Sequence, residues 1–121
     1  MVEKINNIKQ LKIWQMGMGI VKNVYLITKE FPKEELYGLT SQIKRAAVSI
    51  PSNIAEGFKR YHNREYSQFL YIALGSIAEL ETQLLIAVEL KFVDAQQVGP
   101  ILEDLEILSK MTYSLLNKLK A

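Results

Sequence analysis

The side chains able to do chemistry concentrate between Arg45 and Arg64. Ser41, Arg45, Ser49, Ser52 and Glu56 recur at intervals of four, four, three and four, so one helix would carry all five on a single polar stripe. A serine becomes a nucleophile only beside a general base, and the sequence holds one histidine, His62. A hydrolase would need Ser49 or Ser52, a base and oxyanion donors to converge, and the stretch supplies no clear base. The structural alternative makes Arg45, Ser49, Ser52, Asn53, Glu56 and Glu79 members of a half-buried hydrogen-bond network, with Ser76 a further partner. That alternative is preferred, and no residue is assigned as catalytic.

A second set is basic. Lys44, Arg45, Lys59, Arg60, His62 and Arg64 are candidate phosphate contacts. Phe58, Tyr61 and Tyr66 interleave with them as platforms for unpaired bases. The competing reading is a solvated turn whose aromatics close one end of the fold. Metal chemistry finds little support. Cysteine is absent, one histidine cannot build a multi-histidine site, and Glu79 and Glu81 lie two apart and cannot share a helix face. No helix-borne Glu-x-x-His is present. No metal or cofactor is expected.

The 121 residues suffice for one domain with its own core. Hydrophobic residues make up 49%, which excludes a disordered chain. The net charge is +2, from fifteen basic and thirteen acidic residues, well short of a dedicated nucleic-acid binder. The lack of cysteine fits a reducing compartment, and a cytoplasmic location is expected. No run long enough to span a membrane is free of charge, and the N-terminus does not read as a secretory signal.

The elements that must position these residues are helices. Residues 1–12 read as a polar arm and 13–120 as one domain. The first helix is expected from Ile13 to Glu30, with two stripes: Trp14, Met18, Val21, Tyr25 and Thr28, and Ile13, Gly17, Ile20, Val24, Ile27 and Phe31. Gly17 and Gly19 suggest a close helix neighbour, and Pro32 stops the helix. The second helix is expected from Leu39 to Glu56, with Gly57 as a left-handed stop. Asn63 is read as the cap of a third helix, Arg64 to Leu90, whose heptad seam is Tyr66, Leu70, Ala73, Ile77, Leu80, Leu84 and Ala87. Beside that seam lies a second stripe of Tyr71, Leu74, Ala78 and Leu85. Asp94 and Gln97 read as a capping box for a fourth helix, with Gly99-Pro100 marking a first turn and a restart. Short links between four helices predict an all-α, antiparallel up-down-up-down bundle.

Pro51 falls inside the second helix, where it removes an N–H and crowds the carbonyl of Ala47, at a cost of about 3 kcal/mol. The apolar register continues through Ile50 and Ile54, so one kinked helix is expected, with Ser49 and Ser52 serving the freed carbonyls.

Phe31-Pro32-Lys33-Glu34-Glu35, Tyr37-Gly38-Leu39-Thr40-Ser41-Gln42-Ile43 and the run from Arg45 through Ile50-Pro51-Ser52-Asn53-Ile54-Ala55-Glu56-Gly57 resemble the bacterial family first met as proteins encoded in 23S rRNA intervening sequences. Ala73-Leu74-Gly75-Ser76, Glu79-Leu80-Glu81-Thr82-Gln83-Leu84 and Trp14-Gln15 agree with it. The resemblance covers roughly residues 11 to 120. It implies an antiparallel four-helix bundle, a ring-like homo-oligomer, in particular a pentamer, and no established enzymatic activity. It also implies similarity of fold to the accessory protein of diversity-generating retroelements, a basic pentameric bundle that associates with a reverse transcriptase and with nucleic acid. His62, Gly17, Gly19 and Thr112-Tyr113-Ser114 depart from the usual pattern.

The two surplus apolar stripes, together with the resemblance, place Tyr71, Leu74, Ala78, Leu85, Ile20 and Val24 at a subunit interface. The expectation is a non-enzymatic, homo-oligomeric binding or scaffold module with RNA or DNA as leading partner. A protein-only adaptor is the first alternative, and a serine-dependent hydrolase a remote second.

Overall fold

Four helices carry the chain in the computed structural model, which describes residues 5–120: α1 (Lys12–Thr28), α2 (Leu39–Phe58), α3 (Asn63–Glu89) and α4 (Ala95–Leu119). No strand occurs among the described residues. The first four residues of the expected arm lie outside them. Of the remainder, Ile8–Gln10 form a 3-10 turn that leads into α1.

Each helix packs on its neighbours in sequence, and α4 closes the ring onto α1. The pairing is antiparallel throughout. On α2, Ser49 meets Ser76 and Gly57 meets Phe69, so α3 runs backwards along it. Gly17 faces Pro51 while Tyr25 faces Lys44, which reverses α1 against α2. Asn63 reaches the carbonyl of Leu119, tying the start of α3 to the end of α4. The result is the predicted up-down-up-down bundle. Its core is a continuous column of Ile20, Val24, Ile43, Ile50, Ile54, Leu70, Leu80, Leu84, Leu105, Leu108 and Leu116, all essentially without solvent contact.

The helix ends follow local chemistry. The turn after α1 bonds the Phe31 N–H to the Thr28 carbonyl before Pro32 redirects the chain. The Glu35 carboxylate accepts the Leu39 N–H at 3.2 Å and so occupies one free donor at the start of α2. At the end of α3, Lys91 sits in the left-handed region at φ 64°. The Lys91 N–H bonds the Val88 carbonyl and the Phe92 N–H the Ala87 carbonyl, a Schellman closure that turns Phe92 toward Phe31. Asp94 and Gln97 form the predicted capping box. Pro100 does not interrupt α4, which runs continuously from Ala95.

Several local expectations need correction. Gly57 is not a stop: α2 continues to Phe58, and no glycine takes a positive φ. Glycine is needed there because a Cβ would lie 2.9 Å from Phe69 Cβ and 2.9 Å from Tyr66 Cδ1. Only Gly17 marks a close helix approach on α1, since a Cβ on Gly19 would meet nothing. Asn63 opens α3 rather than capping it, and His62 at the cap position makes no capping bond.

By length and composition α3 could cross a membrane. Glu79 and Glu81 sit near its middle, however, and its buried stripe is filled by the bundle core.

Candidate functional site

The polar cluster forms where α2 and α3 come close. Ser49 Oγ and Ser76 Oγ lie 2.8 Å apart, and Asn53 Nδ2 donates to the Ser49 carbonyl at 2.8 Å and to Ser49 Oγ at 2.9 Å. Small side chains permit the approach, and mutual bonding satisfies the polar atoms they bring in. None of these partners is a base, and the His62 ring packs edge-on against Tyr61 at 4.9 Å instead. Ser49 is therefore a packing residue.

The wider network does not assemble as expected. Ser52 points to solvent, so neither it nor Ser49 serves the carbonyl freed by Pro51. Glu56 pairs with Arg60 at 2.9 Å rather than with Arg45. The longer α2 explains the change, because it brings Arg60 within one turn of Glu56. Arg45 and Glu79 are both exposed and line a shared depression with Gln42 and Ser49, without an ion pair between them.

The basic candidates separate into two places. Lys59, Arg60, His62 and Arg64 surround the α2–α3 turn and are exposed. Arg60 is partly engaged, by Glu56 and by the Phe69 ring 4.9 Å away. Lys44 and Arg45 lie along α2, away from that turn. Lys44 sits 4.8 Å over the Tyr25 ring, and both basic residues line an open depression with Tyr25, Tyr37 and Val48. Tyr66, expected as a stacking platform, is instead wedged between Phe58 and Gly57, and burial pushes its phenol up to about 12.

The proposed interface residues also divide. Tyr71 and Leu85 are 49% and 48% exposed, Ala78 is exposed and Leu74 half-buried. Leu74 and Ala78 line a shallow groove with Ser109 and Tyr113 of α4. Ile20 and Val24 are only 1% and 0% exposed, and they belong to the protomer core. Periodicity gave α1 two stripes without an inward direction. Gly17, in phase with Ile20 and Val24, turns that stripe onto Pro51. The outward stripe is the one carrying Met18 and Tyr25. Ile72 and Ile86 extend the exposed apolar surface of α3, and the heptad reading passed over both.

A family model described as 23S rRNA-intervening sequence protein matches residues 9–114. The chain belongs to this family. Among solved structures, it resembles a protein of unknown function from the S23 ribosomal protein family of Bacteroides thetaiotaomicron, with a TM-score of 0.77 and 22% identity over 86% of this chain and 97% of that one. At that identity the likeness speaks for the fold. No curated protein matches the chain by sequence.

Proposed function

We propose that this protein is a cytoplasmic, non-enzymatic homo-oligomer, a pentameric ring by resemblance to its family, that binds RNA or DNA. The observation that carries the reading is the outer face of α3, where Tyr71, Ile72, Leu85 and Ile86 remain exposed on a helix whose other side already fills the core. An apolar surface of that kind, at two heptad-spaced positions, supports burial against another copy. Ring formation would repeat the Lys59–Arg64 turn around an axis. Phosphate affinity too weak in one copy then becomes useful through multivalency.

Light scattering across protein concentrations tests the assembly, and a single-chain mass at every concentration would contradict it. Filter binding to structured RNA and to single-stranded DNA over a salt series tests the partner. Affinity should fall steeply with salt, with a shallower slope once Lys59, Arg60 and Arg64 are replaced by alanine.

The engagement of Arg60 by Glu56 and Phe69 favours a second reading, a ring that docks another protein. Absent or salt-insensitive nucleic-acid binding would select it.

A further inference from the structure

The helices α1 and α3 each pack on α2 and α4, so they stand at opposite corners of the bundle and their outer faces point away from each other. On α1 that face carries Met18, Tyr25 and Leu26, all exposed, with Lys22 and Lys29 beside them. On α3 it carries Tyr71, Ile72, Leu85 and Ile86, with Glu79 and Glu89 among them. Each face therefore mixes large apolar side chains with charge of one sign. From residue 12 to residue 29 the chain holds three lysines and no acid. From residue 70 to residue 89 it holds three glutamates and no base. Lys44 of α2, over the Tyr25 ring, adds to the positive side. Lys22, Lys29, Glu79 and Glu89 have no ion-pair partner among the described residues.

The opposite signs decide how two copies can meet. Pairing α3 on α3 would set Glu79 and Glu89 of one copy against those of the other, and pairing α1 on α1 would oppose lysines. Like charges brought together at an interface cost affinity. Placing α1 on α3 brings opposite charges together and covers both apolar sets. The α3 face is also low in its middle. Gly75 and Ala78 separate Tyr71 and Ile72 from Leu85 and Ile86, and a Cβ on Gly75 would meet nothing within the protomer. A crossing helix has room to seat there.

We propose that the outer face of α1 is the docking surface for the outer face of α3 of a second copy. The contact is head-to-tail. It rests on the homo-oligomer proposed above and supplies the other half of its interface. Because the two surfaces lie at opposite corners, each copy keeps one of them free for a further neighbour, and the series closes as a ring or runs on as a filament.

The test is light scattering over a dilution series of the full chain. It compares the parent, Lys22→Glu/Lys29→Glu, Glu79→Lys/Glu89→Lys and the chain carrying all four changes. The four side chains are exposed, so circular dichroism melts on dilute protein should show every variant folded. Each double variant should raise the concentration needed for assembly by about tenfold or more, since it sets like charges across the contact. The fourfold variant should recover most of that loss, because reversing both faces restores the attraction. Should a double variant not fold, Lys22→Gln/Lys29→Gln or Glu79→Gln/Glu89→Gln takes its place, with a smaller shift in the same direction.

Assembly of Lys22→Glu/Lys29→Glu at the parent's concentrations overturns the pairing and leaves the homo-oligomer standing, since α3 would then meet something other than α1. A fourfold variant no better than the weaker double does the same. A parent at single-chain mass throughout overturns the pairing and the homo-oligomer together.

Discussion

The two sides of α3 set a sealed surface against an open one. On the inner side, Leu70, Ala73, Leu80, Leu84 and Ala87 are fully buried, and the Ser49–Ser76 contact leaves no polar atom of that pair idle. On the outer side, Tyr71, Ile72, Leu85 and Ile86 are similar in composition and remain in water. Adjacent positions such as Leu84 and Leu85 therefore share chemistry and differ only in what covers them. Apolar content by itself does not define a core. The difference lies in whether the bundle has a helix to spare for that side, and this one has none.

Three tests, built on four substitutions, probe the contrast, beginning with the largest effect. Leu84→Ala should destabilise the fold by about 2–5 kcal/mol, by transfer loss plus cavity. Leu85→Ala, measured by urea melts on dilute protein, should stay within about 0.5 kcal/mol of the parent while lowering the mass seen by light scattering. Equal costs at the two positions would abolish the distinction. Gly57→Ala comes next. Its Cβ would press on Phe69 and Tyr66 at 2.9 Å, an overpacking cost of about 1–3 kcal/mol in denaturant melts despite the gain in helix propensity.

The third effect is confined to alkaline solution. Burial raises the Tyr66 phenol from 10.0 to about 12, so between those values the unfolded chain has released a proton that the folded chain keeps. The contribution is whole below pH 10 and is lost as the pH rises through about 12. Tyr66→Phe should therefore flatten the alkaline fall in melting temperature over that window, and an unchanged fall would place Tyr66 on the wet side.

Much of this was legible in the sequence. The period of α3 identifies its inward stripe, which is as read, while Ile72 and Ile86 on the outer side fell outside the second stripe. The capping box at Asp94 and Gln97 is local and needed no tertiary information. The bond from Asn53 to Ser49 spans one helical turn and follows from spacing. What stayed hidden depends on other elements or on small shifts of boundary. The inward face of α1 is set by the contact of Gly17 with Pro51, far apart in the chain. Two extra residues of α2 gave Glu56 a different partner. Gly57 suits both a helix stop and a tight crossing, and only the neighbouring helix decides between them. The hollow lined by Thr28, Lys33 and Thr40 joins residues from α1, the connecting turn and α2, and no spacing rule links them.

The meeting of Gly17 with Pro51 has a mechanical consequence. A bundle held by repeating apolar seams offers few obstacles to one helix sliding a turn along another, because each repeat resembles the last. Here the missing side chain on α1 admits the proline ring of α2 at one height only. A shift of one turn in either direction would set the larger Ile13 or Val21 against that ring, where a single Cβ at Gly17 would already stand only 3.3 Å from Pro51 Cβ. The notch works as a key: α1 and α2 can assemble at a single offset, and everything the corner between them carries is held at a fixed spacing.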